Sequence, residues 1–232
     1  MKVFVNMFFL MVACFAISCH AFMLGGYRFI YDQEQSSIDV PVFSGHDSKS
    51  YLIKAVLHKK SSGNEGVKNF LVSPPLFRLE PGQRTSLRIS LLNTVDLPSD
   101  RESVFYLYVA GIPSTNPLAR GNEDGFASGK TVFGTGSQVK FFYRPRGIKA
   151  PTGETYNSMI FHRKNGHVFV SNPTPYNITM TTDLGTGFHK MVMVPPFGEE
   201  ALDYKGLSNR NKLTWYVIND KSESVSGTAI IQ

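Results

Sequence analysis

The stretch SQVKFFYRPRG, Ser137 to Gly147, holds Lys140 and Arg144 four residues apart among Val139, Phe141, Phe142 and Tyr143. An extended segment of this content is suited to burial. Residues an even number apart on a strand share a face, so both fixed positive charges lie on one side of it. A third cation, Arg28, sits in the comparably apolar GGYRFIYD. Such groups suit anion recognition: guanidinium offers a planar fork to both oxygens of a carboxylate, and ammonium is a compact charge with three donors. Other chemistry finds little support. His162 and His167 in HRKNGH are five apart, hence on opposite faces of a strand, and neither a cysteine nor a third histidine is near enough in sequence to complete a metal site. SSGNEG lacks the strand–loop–helix context of a phosphate cradle, and no nucleophile elbow is present. Neither cofactor, nucleotide nor metal is implied.

The chain begins with Lys2, an apolar run from Val3 to Ile17 broken only by Asn6, and then SCHAF. This pattern predicts a secretory signal, residues 1–21, removed after Ala21. The run is shorter than the roughly 20 residues that span a bilayer, so no stable membrane insertion is expected. Cleavage would leave 211 of the 232 residues, remove both cysteines, Cys14 and Cys19, and lower the formal net charge from +6 to +5. Without disulfides, stability must come from hydrophobic cores, which a chain of this length can build. The basic residues form neither a long run nor an Arg-rich helix face, which argues against nucleic acid as a partner.

The elements that must position these cations read as strands. Apolar runs are short, β-branched or aromatic, and bounded by Gly, Pro, Asn, Asp or Ser: RFIY, IDVPVF, YLIKAVL, SLRISLL, SVFYLYV, then HVFV, NITMT, MVMV and LTWYVI. Around a dozen such runs predict an all-β chain of two immunoglobulin-like sandwiches, each of about 100 residues. The boundary falls in RPRGIKAPTGET, giving domains 22–145 and 146–232. Pro113 to Gln138, rich in Gly, Ser, Thr and Asn, reads as a long loop running into an edge strand.

Seven segments in order resemble one family, the PapD-like periplasmic chaperones of the chaperone–usher pathway. They are GGYRFIYD, FLVSPPLFRLEPGQRTSLRI, LPSDRESVFYLYVAGIP, VKFFYRP, VFVSNPTPYNITMT, VPPFGEEAL and LTWYVIND. The resemblance implies an L-shaped pair of domains with a binding cleft between them. It implies that Arg28 and Lys140 anchor the terminal carboxylate of a pilus or fimbrial subunit, that Glu102, Arg144 and Asp220 bridge the domains, and that the bond before Pro74 is cis. The partners it implies are an incomplete subunit and an outer-membrane usher, met in the periplasm; self-association of the free chaperone stays open. Strand addition is a known recognition mode, and chaperone–pilin donor-strand complementation is one of its named cases.

In family register the donor positions are Thr131, Phe133 and Thr135, where bulky aliphatics are usual; a bulge among Gly134 and Gly136 would instead bring Val132 inward. The loop before this strand is long, yet the cysteine pair of the long-loop subfamily is absent. Tyr27 stands where a threonine is usual. Two other readings stay open: an immunoglobulin-like fimbrial subunit or adhesin, and an extracellular β-sandwich enzyme acting on carbohydrate.

Overall fold

The computed structural model describes residues 22–63, 65–114, 134–183, 191–202 and 210–232. The signal segment, and the donor positions Thr131, Val132 and Phe133, lie outside these residues. The first sandwich contains β1 (Met23–Leu24), β2 (Arg28–Asp32), β3 (Ile38–Phe43), β4 (Tyr51–His58), β5 (Phe70–Ser73), β6 (Leu76–Leu79), β7 (Arg84–Leu91), β8 (Ser103–Pro113) and β9 (Thr135–Arg144). One sheet runs β1-β3-β7-β5 and the other β2-β9-β8-β4-β6. Alternation decides which face is buried: Ile53, Ala55 and Leu57 of β4 and Phe105, Leu107 and Val109 of β8 meet Val40, Val42, Leu87 and Ile89 of the opposite sheet in one core.

The chain changes sheets between β1 and β2. β1 pairs with β3, and β2 then crosses to lie parallel to β9. Gly25 permits the crossing, because a Cβ there would stand 2.8 Å from the Pro41 side chain. The crossing sets the register that matters: Arg28 lies directly opposite Lys140, and Asp32 opposite Arg144.

The second sandwich contains α1 (Gly153–Asn157), β10 (Ile160–Lys164), β11 (His167–Ser171), β12 (Ile178–Asp183), β13 (Val192–Val194), β14 (Glu199–Leu202), β15 (Lys212–Ile218) and β16 (Ser224–Ile230). Sheets β10-β11-β14 and β13-β12-β15-β16 enclose Phe161, Val168, Val170, Met180, Leu213, Trp215 and Val217. None of the described helices is long and apolar enough to cross a membrane. The Ser73–Pro74 peptide bond is cis.

Three local readings shift. Pro113 closes β8, and Thr135 to Gln138 already belong to β9, so the expected loop is shorter at both ends. Pairing between the two strands decides this, since Gly111 is matched to Thr135. The linker also holds a helical turn, in which the Thr155 hydroxyl accepts the Thr152 amide.

Gly227 faces Trp215 across the β15–β16 pair, and a Cβ at this position would stand only 2.3 Å from the nearest indole carbon. Gly227→Ala is therefore expected to destabilise the second domain by about 1–3 kcal/mol. The single tryptophan reports this directly: its fluorescence midpoint in urea should fall. An unchanged midpoint would contradict the packing described.

Candidate functional site

β9 changes character along its length. Thr135 to Val139 are exposed or half-buried, whereas Phe141, Phe142, Tyr143 and Arg144 are all buried. Phe141 and Tyr143 enter the first core. Phe142 and Arg144 point the other way, and are buried because the second domain covers that face. Lys140 shares this outer face, and so does Arg28 beside it on β2. β2 begins only at Arg28, so among the described residues Thr135 to Val139 are paired with β8 alone. Their opposite edge carries unmatched backbone groups, the feature that templates strand addition.

The outer face is charged and largely dry. Arg144 Nε and Nη2 donate to Glu102 Oε1 at 3.0 and 2.7 Å, and Nη2 also donates to Asp220 Oδ2 at 2.7 Å. The Asn177 amide donates to the other Glu102 oxygen at 2.9 Å, and the Glu102 amide donates to the Pro175 carbonyl at 2.8 Å. Pro175 and Asn177 are presented by the SNPTPYN turn. There the buried Asn172 amide donates to the Tyr176 and Pro195 carbonyls, and Asn172 Oδ1 accepts from the Thr174 amide and hydroxyl. Asp220 is held at the β15–β16 turn, where Asn219 Oδ1 accepts the amides of Lys221 and Glu223. Local turn chemistry thus delivers each second-domain partner to a first-domain charge.

Arg28 is the least satisfied of the cations. Its side chain is 7% exposed, its nearest carboxylate oxygen is Asp220 Oδ1 at 3.6 Å, and its guanidinium lies 4.0 Å from the Phe142 ring centre. Arg28 Nε and Asp220 Oδ1 are buried without a hydrogen-bond partner. Lys140 Nζ donates to the Thr179 hydroxyl at 3.0 Å, a neutral partner. Burial lowers the pKa of both groups, and the neighbouring Arg28 charge lowers Lys140 further. For Arg144 burial also opposes charge, but the Glu102 and Asp220 carboxylates outweigh it and raise the pKa. Tyr156, buried close to this group, is pushed up to about 12 by burial and the Asp220 charge, so it stays neutral. Three cations, Arg28, Lys140 and Arg144, therefore meet two carboxylates, Glu102 and Asp220. One positive charge is left over in a partly dry cleft, which favours an incoming anion.

Of the site residues read from the sequence, the fold brings Arg28 and Lys140 side by side and Glu102, Arg144 and Asp220 into contact. Thr135 lies at the start of β9, on the face of Phe141 and Tyr143 by its even spacing from them. The sequence alone assigns no role in this cleft to Thr179, Asn177, Tyr156 or Phe142. Their roles depend on long-range pairing, and no spacing in the chain marks them. His162 lies on β10 with its Nε2 3.5 Å from Glu199 Oε2 and its ring stacked on Phe169.

Comparison with known proteins gives a consistent picture. Residues 21–149 match the family model described as "Pili and flagellar-assembly chaperone, PapD N-terminal domain". Residues 154–229 match "Pili assembly chaperone PapD, C-terminal domain". The chain is 32% identical over 199 residues to the chaperone protein FocC of Escherichia coli, covering 85% of this chain and 84% of that protein. It is 30% identical over 198 residues to the chaperone protein FimC of E. coli O6:H1, covering 85% and 78%. Among solved structures, the periplasmic chaperone SfaE superposes with a TM-score of 0.74 at 27% identity, covering 91% of this chain and all of that one.

The charge geometry has a consequence for stability. A lysine whose folded pKa is depressed costs stability while it is charged. That cost is relieved as pH rises from the depressed value to the ordinary lysine range of about 10.4. Lys140→Met is thus expected to melt no lower than the parent at pH 7, and any advantage should shrink as pH approaches 10.5. A melting temperature several degrees below the parent at pH 7 would contradict this reading.

Proposed function

We propose how this chain, which belongs to the PapD family of periplasmic pilus-assembly chaperones, takes hold of its guest. An incomplete immunoglobulin-like subunit offers a groove where a strand is missing. The upstream part of β9, from Val139 back through Thr135 towards Phe133 and Thr131, lies along that groove and completes the guest's sheet through backbone hydrogen bonds. Val132 takes an inward position instead if the chain bulges at Gly134, since Gly136 pairs with Ala110 in unbroken register. The guest's terminal carboxylate enters the cleft and is received by Arg28 and Lys140. It supplies the negative charge that the three-cation, two-carboxylate group lacks, and that imbalance is the observation that carries the reading.

Anchor and edge work as one device. A strand that slips by one residue turns every side chain to the opposite face, so strand addition needs a fixed starting point. The cations stand where β2 stops covering β9, so a chain end held there begins alongside the first bare residues of the edge. Glu102, Arg144 and Asp220 keep the domain carrying Thr179 and Asp220 at a constant distance from that point. The capped guest is then delivered to the outer-membrane usher. None of these steps requires a nucleotide or a metal.

Hydrogen bonds to charged groups contribute about 1.5–3 kcal/mol each. Arg28→Ala and Lys140→Ala are each expected to weaken capture of a free C-terminal carboxylate by at least about tenfold. Both variants should remain soluble and folded by circular dichroism while losing stoichiometric co-purification of the subunit from the periplasm. A variant that folds and still co-purifies at one-to-one stoichiometry would overturn the anchor.

A further inference from the structure

The cleft at the two cations is larger than a carboxylate needs. Its volume is about 450 Å³, within the usual range for ligand sites, and beyond Arg28 and Lys140 its walls include Tyr27, Val139, Met191 and Ile218. These side chains make the lining mainly apolar. Met191 is 54% exposed and Tyr27 56%, so both present apolar surface to solvent beside a buried charge.

Tyr27 is set apart by its tether. Its hydroxyl donates to the Ser222 carbonyl at 2.7 Å, across the gap between the domains. Ser222 adopts a positive φ of 65° and belongs to the same turn as Asp220, whose carboxylate meets Arg144 and Arg28. Tyr27, just before β2, and Arg28, its first residue, therefore hold one turn of the second domain at two points, one neutral and one charged. A ring fixed at its far end is a wall with a defined position, where a free tyrosine would swing in solvent.

Resting on the carboxylate-anchor reading above, we propose that this cleft receives the side chain of the guest's last residue, and that Tyr27 is the wall that makes the cleft select an apolar one. The chemistry is complementary at both ends. A terminal residue carries its carboxylate to Arg28 and Lys140, and an apolar side chain on the same residue leaves water against Tyr27, Val139, Met191 and Ile218. A terminal lysine brings a cation into a site that already has an excess of positive charge. A terminal glutamate offers a second carboxylate that competes for the anchor in the wrong register.

The test uses the purified chain without its signal segment and synthetic twelve-residue peptides of alternating valine and threonine. The peptides end in Phe, Ala or Lys, each as free acid and as amide, and dissociation constants are measured by calorimetry. The Phe acid should bind about tenfold more tightly than the Ala acid, and the Lys acid most weakly. Tyr27→Thr should bring the Phe-to-Ala ratio close to one while acids still bind better than amides. Tyr27→Phe keeps the ring but loses the tether, and should show a preference between those of the parent and Tyr27→Thr. Equal binding of Phe and Ala acids to the parent, or an undiminished preference in Tyr27→Thr, overturns the inference and leaves the anchor intact. A Tyr27→Phe variant that behaves like Tyr27→Thr assigns the effect to the tether and overturns the wall. Acids and amides binding the parent equally, or no measurable binding of any acid, overturns the anchor reading itself and the inference with it.

Discussion

The parallel pairing of β2 with β9, starting at Arg28 opposite Lys140, is the constraint on which the rest of the structure depends. A parallel neighbour in a sandwich built otherwise of antiparallel pairs requires the chain to leave one sheet and enter the other, and the glycine at position 25 makes room for that crossing. Where the crossing lands determines two things together. It sets two cations abreast on the outer face, and it ends the cover on β9, so that the residues before Lys140 keep one open edge. Moving the start of β2 a few residues upstream along β9 would close the edge, and moving it downstream would part the cations.

The buried charges around this point are poorly explained by stability alone. Breaking a buried ion pair is destabilising by about 3–5 kcal/mol, yet replacing the whole set with apolar groups is often neutral or better. Glu102 has a fully buried side chain and satisfies both its oxygens, so its pairing with Arg144 can fix the orientation of one domain against the other. Arg28 and Lys140 lack such compensation, with an orphaned Nε on one and only a hydroxyl partner for the other. Groups left in this condition in a folded protein call for an explanation, and recognition of an anion is one.

Much of this was legible in the chain itself. The alternation in YLIKAVLH and SVFYLYVAGIP gave strands whose inward residues are those found in the core. The four-residue spacing of Lys140 and Arg144 placed both on one face, and the structure puts both on the face towards the second domain. The limits have physical causes. Phe142 is as apolar as Phe141, and only the tertiary cover over β9 buries both of them. Thr179 and Asn177 meet first-domain charges through pairings 39 and 75 residues distant in sequence, which periodicity cannot reveal. The ends of β8 and β9 resemble loop in the sequence because Pro113 and Gly136 are turn residues by propensity, and strand pairing overrides that preference.

Amide hydrogen exchange along β9, with and without a bound subunit, tests the central claim most directly. In the free chaperone, amides from Thr135 to Val139 that face away from β8 should exchange quickly, while those from Phe141 to Arg144 stay protected. On guest binding the fast set should become protected and the others should not change. Protection of Thr135 to Val139 that is already complete in the free protein, or unaltered by the guest, would contradict the account.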